Sequence, residues 1–234
     1  MCKRSKNTVV LAFAVSTMLG LGAHAGPVVL NFSGTPVGPV TTSPPDNNTV
    51  TRSAGGLTAI ASGFDADGTK HQLYYKTGVD ETGLGLVDTR DNELTLTASG
   101  RRPADFIQLD VGQFYHTTLG ASITMESVTG TESFNIFGTN TAGTLPGKPL
   151  NSTPFGPAFD RTPVAIPQWR KYKYIDIAVA PDYDNPCDNV LFNSITVSQA
   201  VPEPASLVMM GVGMLGVIGL GWKRRREAAS IAPR

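Results

Sequence analysis

Between residues 26 and 200 no run of twelve residues combines a 3.6-residue apolar period with helix-forming side chains. What recurs is a short segment of alternating or apolar residues bounded by Gly, Pro, Asn or Asp. Such segments bury a face only by pairing side by side and stacking. The expected fold is therefore all-β, an antiparallel β-sandwich of jelly-roll type. Strands are expected over residues 28–32, 71–76 (HQLYYK), 84–87, 94–98, 106–111, 122–128, 134–137, 172–180 and 190–197, with 33–48 as an irregular connection. Asp65, Asp67 and Gly68 form a turn leading into HQLYYK, and 88–93 is a second polar turn. Residues 49–64 are rich in Thr, Ala and Ile without a helical period. Pro146, Pro149, Pro154, Pro157 and Pro163 make 139–163 a long surface loop. Near the end of the domain Ile175, Ile177 and Val179 share one strand face, and Tyr172, Tyr174 and Asp176 share the other.

Both ends of the chain are addresses and stand outside that fold. Residues 1–25 have a basic head (Lys3, Arg4, Lys6), an apolar run over 8–21, and Ala23 and Ala25 ahead of Gly26. This is the layout of a secretory signal peptide, read by signal peptidase, with the mature chain starting at Gly26. At the other end Pro202, Glu203 and Pro204 follow Val201 and keep the chain extended. Residues 205–222 then carry no charge over 18 positions. As a helix they span roughly 27 Å, about one hydrocarbon thickness. Lys223, Arg224, Arg225 and Arg226 follow at once and favour the cytoplasmic side, which leaves 227–234 as a cytoplasmic tail. The span has five glycines but no pair four residues apart, so it anchors one chain and carries no helix-dimer motif.

The order of these parts, a Val-Pro-Glu-Pro box, a Gly-rich apolar span and an Arg-rich end over residues 201–226, closely resembles the PEP-CTERM sorting signal. The resemblance implies an exported protein of a Gram-negative bacterium, held briefly in the inner membrane by its tail. An exosortase-type transpeptidase then cuts near the box and passes the protein to the envelope or outside. By the same resemblance Val201 to Pro204 are the recognition box and Lys223 to Arg226 the stop-transfer end. SFNIFGTNTAGTL, KYKYIDIAVA and DNVLFNSITV in turn resemble the closing half of galactose-binding-like β-sandwich domains that precede such tails.

The remaining 175 residues, 26–200, are enough for one domain with its own core. Three basic residues leave with the head; five basic and two acidic ones lie in the tail. The domain keeps 11 basic against 17 acidic residues, a net charge of −6, which offers nucleic acid no electrostatic footprint. Cys2 belongs to the head, so Cys187 has no partner for an internal disulfide.

Chemistry is thinly marked. His71 and His116 are the histidines of the mature chain, and no nucleophile elbow, paired zinc-binding His motif or phosphate loop accompanies them. Each reads as a strand residue or a general base. Asp65, Asp67 and Gly68 start like a calcium loop but lack its distal Glu. Asp182, Asp184 and Asp188, with Asn185 and Asn189, either chelate Ca²⁺ or build an ordinary tight loop. Trp169, Tyr172 and Tyr174, interleaved with Arg170, Lys171 and Lys173, either stack on and hydrogen-bond a saccharide or fill the edge of the core. The expected function is a non-catalytic, carbohydrate- or matrix-binding protein of the cell surface, with no cofactor other than a candidate Ca²⁺. The alternatives are a secreted hydrolase acting on polysaccharide or protein, and a purely structural surface protein.

Overall fold

Strands whose side chains alternate across a pleat must cover one face against another layer, and here that layer is a second sheet. The computed structural model describes residues 26–33, 38–40, 48–78, 81–97, 100, 102–181 and 188–199. The expected signal peptide before Gly26, the sorting signal with its apolar span, and Asp182, Asp184 and Cys187 lie outside the described residues. In chain order the strands are β1 (Val28–Asn31), β2 (Gly38–Pro39), β3 (Thr49–Ala54), β4 (Leu57–Asp65), β5 (Lys70–His71), β6 (Leu73–Thr77) and β7 (Thr82–Leu86). They continue as β8 (Leu94–Thr95), β9 (Asp105–Asp110), β10 (Thr118–Glu126), β11 (Phe134–Thr139), β12 (Val164–Ala165), β13 (Tyr174–Val179) and β14 (Asn189–Gln199).

One sheet runs β12-β10-β14-β7-β6-β2, with β1 and β8 also pairing with β14. The second runs β11-β13-β9-β4-β3, with β5 on β4. The strand pairs are antiparallel, as expected for a sandwich. Ile107 and Leu109 from β9, Ile175 and Ile177 from β13, Ile123 and Met125 from β10, and Phe192 and Ile195 from β14 meet in one buried cluster. Phe192 and Ile195 are three apart because β14 bulges: Met125 pairs with Phe192 but Thr124 with Ser194. The extra residue, Asn193, turns outward, where its Nδ2 donates to the Thr82 carbonyl and to Glu126.

Two details depart from the sequence expectation. HQLYYK is not one strand: His71 pairs with β4 in the second sheet, whereas Leu73 onward pairs with β7 in the first. The chain crosses between layers at Gln72, and the crossing drops Leu73 into the core with no exposure. Residues 49–64, for which no hairpin was expected, form one. Ala54 pairs with Leu57 across Gly55 and Gly56, whose φ angles of 55° and 77° suit a two-residue turn.

The long 139–163 segment lies at the surface, as expected, and part of it also serves as a cover. On the outer face of the second sheet Phe64, Phe106, Phe137 and Ala178 form a second apolar cluster, and Leu145 packs on it. The segment is then hydrogen-bonded to the exposed edge of β11. Leu150 N–H donates to the Ile136 carbonyl at 2.7 Å, and Phe155 and Phe134 exchange two backbone bonds at 3.0 Å. Asn151 accepts from Ile136 N–H at 2.9 Å and donates to Asn135 Oδ1 at 2.7 Å. An edge that would otherwise invite another chain is closed.

Beneath this cover Gln108 links the layers: its Nε2 donates to Asp176 Oδ1 at 2.7 Å and its Oε1 accepts from Gly143 N–H at 2.9 Å. Asp176 is fully buried, its Oδ2 has no hydrogen-bond partner, and burial pushes its carboxyl up to about 8 despite the Gln108 bond. A carboxyl with a raised folded-state pKa favours folding below its unfolded value near 3.8, and that contribution is lost as pH rises towards about 8. Asp176→Asn, which mimics the protonated acid, should match the wild type near pH 3.5 and be more stable at pH 7 by about 1 to 3 kcal/mol. Urea unfolding of both proteins across this pH range measures the difference.

Candidate functional site

The five residues from Gln168 to Tyr172, where sequence reading places the aromatic and cationic candidates, form a single turn between β12 and β13. Gln168 adopts a left-handed backbone (φ 55°) and opens a 3-10 turn over Trp169–Lys171. Trp169 is 4% exposed, packs 5.9 Å from Phe114 and donates its indole N–H to Thr118 Oγ1 at 2.7 Å. It fills the core edge, so its ring faces are not open for stacking. That burial anchors the turn. Arg170 remains exposed while its Nε donates to the Thr118 carbonyl at 2.9 Å, and Lys171 Nζ donates to Gln168 Oε1 at 3.0 Å.

A cleft lies on each side of this turn. The first, of about 560 Å³, has Gly138, Lys148, Asn151, Ser152, Gln168 and Tyr172 among its walls. Gly138 is required there, because a Cβ at that position would overlap the Tyr172 ring. The ring thus packs directly against the Gly138 backbone and, partly exposed, forms one wall of the cleft. The second cleft, of about 450 Å³, is bounded by Leu119, Gly120, Ala165, Gln168, Arg170 and Lys171. Leu119 is 62% exposed at its rim. Tyr174 lies on the outer face of β13, where the Lys173 ammonium sits 4.7 Å from its ring centre. Of the three aromatic candidates, Tyr172 borders the first cleft and Trp169 the second, and of these two Tyr172 is the more exposed. Lys148, Asn151 and Ser152 escape the sequence reading because they sit in the Pro-rich segment; its unusual length was the available signal.

The histidines have structural partners. His71 Nδ1 lies 2.7 Å from Asp65 Oδ1 and Nε2 lies 2.6 Å from the Val87 carbonyl oxygen, so both nitrogens are engaged. Burial alone would lower its pKa, but the Asp65 carboxylate and the Val87 carbonyl outweigh burial and raise it. Asp67 caps its own turn by accepting from Thr69 N–H at 2.9 Å, and Gly68 supplies the positive φ of 88°. His116 is exposed and packs on Tyr115, the ring centres 3.6 Å apart and the planes tilted by 36°. Asp188 is buried, with Thr131 Oγ1 donating to its Oδ1 at 3.4 Å.

A group of carboxylates absent from the sequence reading is assembled at the β6–β7 end. Oxygens of Glu81, Asp91 and Glu93 lie within 4.8 Å of one another, a spacing suited to holding a cation. The Lys76 ammonium stands among them, 2.6 Å from Glu81, 2.7 Å from Asp91 and 2.5 Å from Glu93. Burial would lower the Lys76 pKa, but the three carboxylates outweigh it and raise it. Glu93 is fully buried, and burial outweighs the Lys76 and Ser127 contacts to push its carboxyl up to about 7.

Against known families, the model of the PEP-CTERM protein-sorting motif matches residues 200–226. The chain thus carries the sorting signal of an exported surface protein processed by an exosortase, through a membrane-anchored intermediate. No curated protein matches the chain, and no solved structure does. Among the described residues no helix is long and apolar enough to cross a membrane.

Lys76 is the counter-charge that lets Glu93 remain inside. Lys76→Met should cost about 3 to 5 kcal/mol at pH 9, where Glu93 is ionised in the wild type and loses its partner in the variant. Burial already holds the wild-type Glu93 carboxyl near 7, so both proteins fold with the neutral acid at pH 5, and the deficit should be small there and grow as pH rises past about 7. Thermal unfolding at the two pH values distinguishes this from a simple packing loss.

Proposed function

We propose that the protein is an envelope or extracellular-matrix component whose β-sandwich binds saccharide, without catalysis, in the cleft walled by Tyr172. One observation carries the reading: the Tyr172 ring, laid over Gly138, borders a cleft of about 560 Å³ whose other walls offer amide, hydroxyl and ammonium groups. Saccharides present apolar ring faces and rows of hydroxyls, which suit one aromatic face surrounded by such donors and acceptors. The sorting motif supports the reading through its destination, the cell surface. A glycosidase would instead need two carboxyl groups roughly 5 to 9 Å apart across its groove. Among the described residues bordering the cleft none is acidic, which favours binding over hydrolysis.

Binding of the full-length protein to a glycan array, with and without Ca²⁺, tests the reading; no retained glycan in either condition removes it. Tyr172→Leu, which keeps an apolar contact with the core, should weaken binding of a retained glycan by about threefold to tenfold. For sorting, replacing Pro202, Glu203 and Pro204 together by Ala should leave the protein in the inner membrane with residues 223–226 still attached. Fractionation and mass spectrometry of the C-terminal peptide measure this. A normally trimmed, exported product would show that the box is not the recognised element.

A further inference from the structure

Resting on the saccharide-binding reading, we infer that the ligand is an acidic polysaccharide, held across the Gln168–Tyr172 turn by Lys148 on one side and by Arg170 and Lys171 on the other. The two clefts share Gln168, so they are adjoining parts of one surface. Their described walls contain three cationic residues and no carboxylate. This is the reverse of the domain as a whole, where acidic residues outnumber basic ones 17 to 11. Lys148, Arg170 and Lys171 are all exposed and so within reach of a ligand.

Two of the three cations are also held in place. Arg170 is fixed through Nε to the Thr118 carbonyl, which leaves the two terminal nitrogens of its guanidinium to meet a carboxylate in the fork geometry that arginine favours. Lys171 is steadied by Gln168 Oε1 at 3.0 Å. Tyr172 and the exposed Leu119 supply apolar contact for sugar ring faces between the charges. The rest of the domain carries excess negative charge and repels a densely charged polyanion. Duplex DNA has one charge per about 1.7 Å of axis and is disfavoured. A uronate polymer, with at most one carboxylate per sugar, meets the three cations with less repulsion than a duplex.

The test measures binding of polygalacturonate, neutral dextran and single-stranded DNA to full-length protein in a non-glycosidic detergent. Polygalacturonate should bind, and its affinity should fall steeply between about 0.1 M and 1 M salt, as the screening length drops from about 10 to about 3 Å. K148Q/R170Q/K171Q should weaken that binding by about tenfold or more. K148Q/K171Q, which keeps the Arg170 bond to Thr118, should give an intermediate loss at an unchanged melting temperature. If dextran binds as tightly as polygalacturonate, the acidic ligand is wrong while the saccharide reading stands. If neither polymer binds, both fall. Preference for DNA would overturn the assignment to polysaccharide.

Discussion

Burial of both faces of the second sheet is the constraint on which the other features depend. Its inner face meets the first sheet through Ile107, Leu109, Ile175 and Ile177, as in any sandwich. Its outer face is also apolar in part, with Phe64, Phe106 and Phe137 clustered there, and cannot be left to water. The chain answers with a cover of its own, anchored by Gln108 to Gly143, by Asn151 to β11, and by Leu145 on the phenyl rings. The first cleft exists because residues 146–152 of this cover face the Gln168–Tyr172 turn. The site is thus a by-product of how an apolar outer face is closed.

Charge is distributed by the same logic. Carboxyl groups that end up inside are either neutralised by an internal cation, as Glu93 is by Lys76, or held as the protonated acid, as burial does to Asp176. Asp105 is a third case: burial raises it to about 6, although the Thr95 hydroxyl and N–H both donate to it. Exposed cations, by contrast, collect around the turn that Trp169 pins down. Trp169 therefore matters to the site without touching a ligand: its indole bond to Thr118 sets the position of Arg170.

Much of this was legible beforehand wherever a pattern was local. The face assignment of Ile175, Ile177 and Val179 follows from period two, and all three are fully buried. The crossing at Gln72 was not legible, because HQLYYK alternates correctly and nothing local says that its halves pair with different sheets. Gly55-Gly56 did carry a turn signal, one that the polar and β-branched residues around it obscured. At the site, Tyr172 was visible as an aromatic among cations. Gly138, Lys148 and Asn151 were not, since they come from other parts of the chain and have no spacing in common.

The sequence by itself determined the layered all-β class and the sorting motif over residues 200–226, because alternation, turn chemistry and a linear address are all properties of neighbouring residues. Only the tertiary structure decided that Trp169 is a core anchor, that Lys76 sits among Glu81, Asp91 and Glu93, and that Tyr172 faces a cleft. Those facts depend on which distant segments pack together, and packing is set by the burial of whole faces rather than by any one stretch of chain.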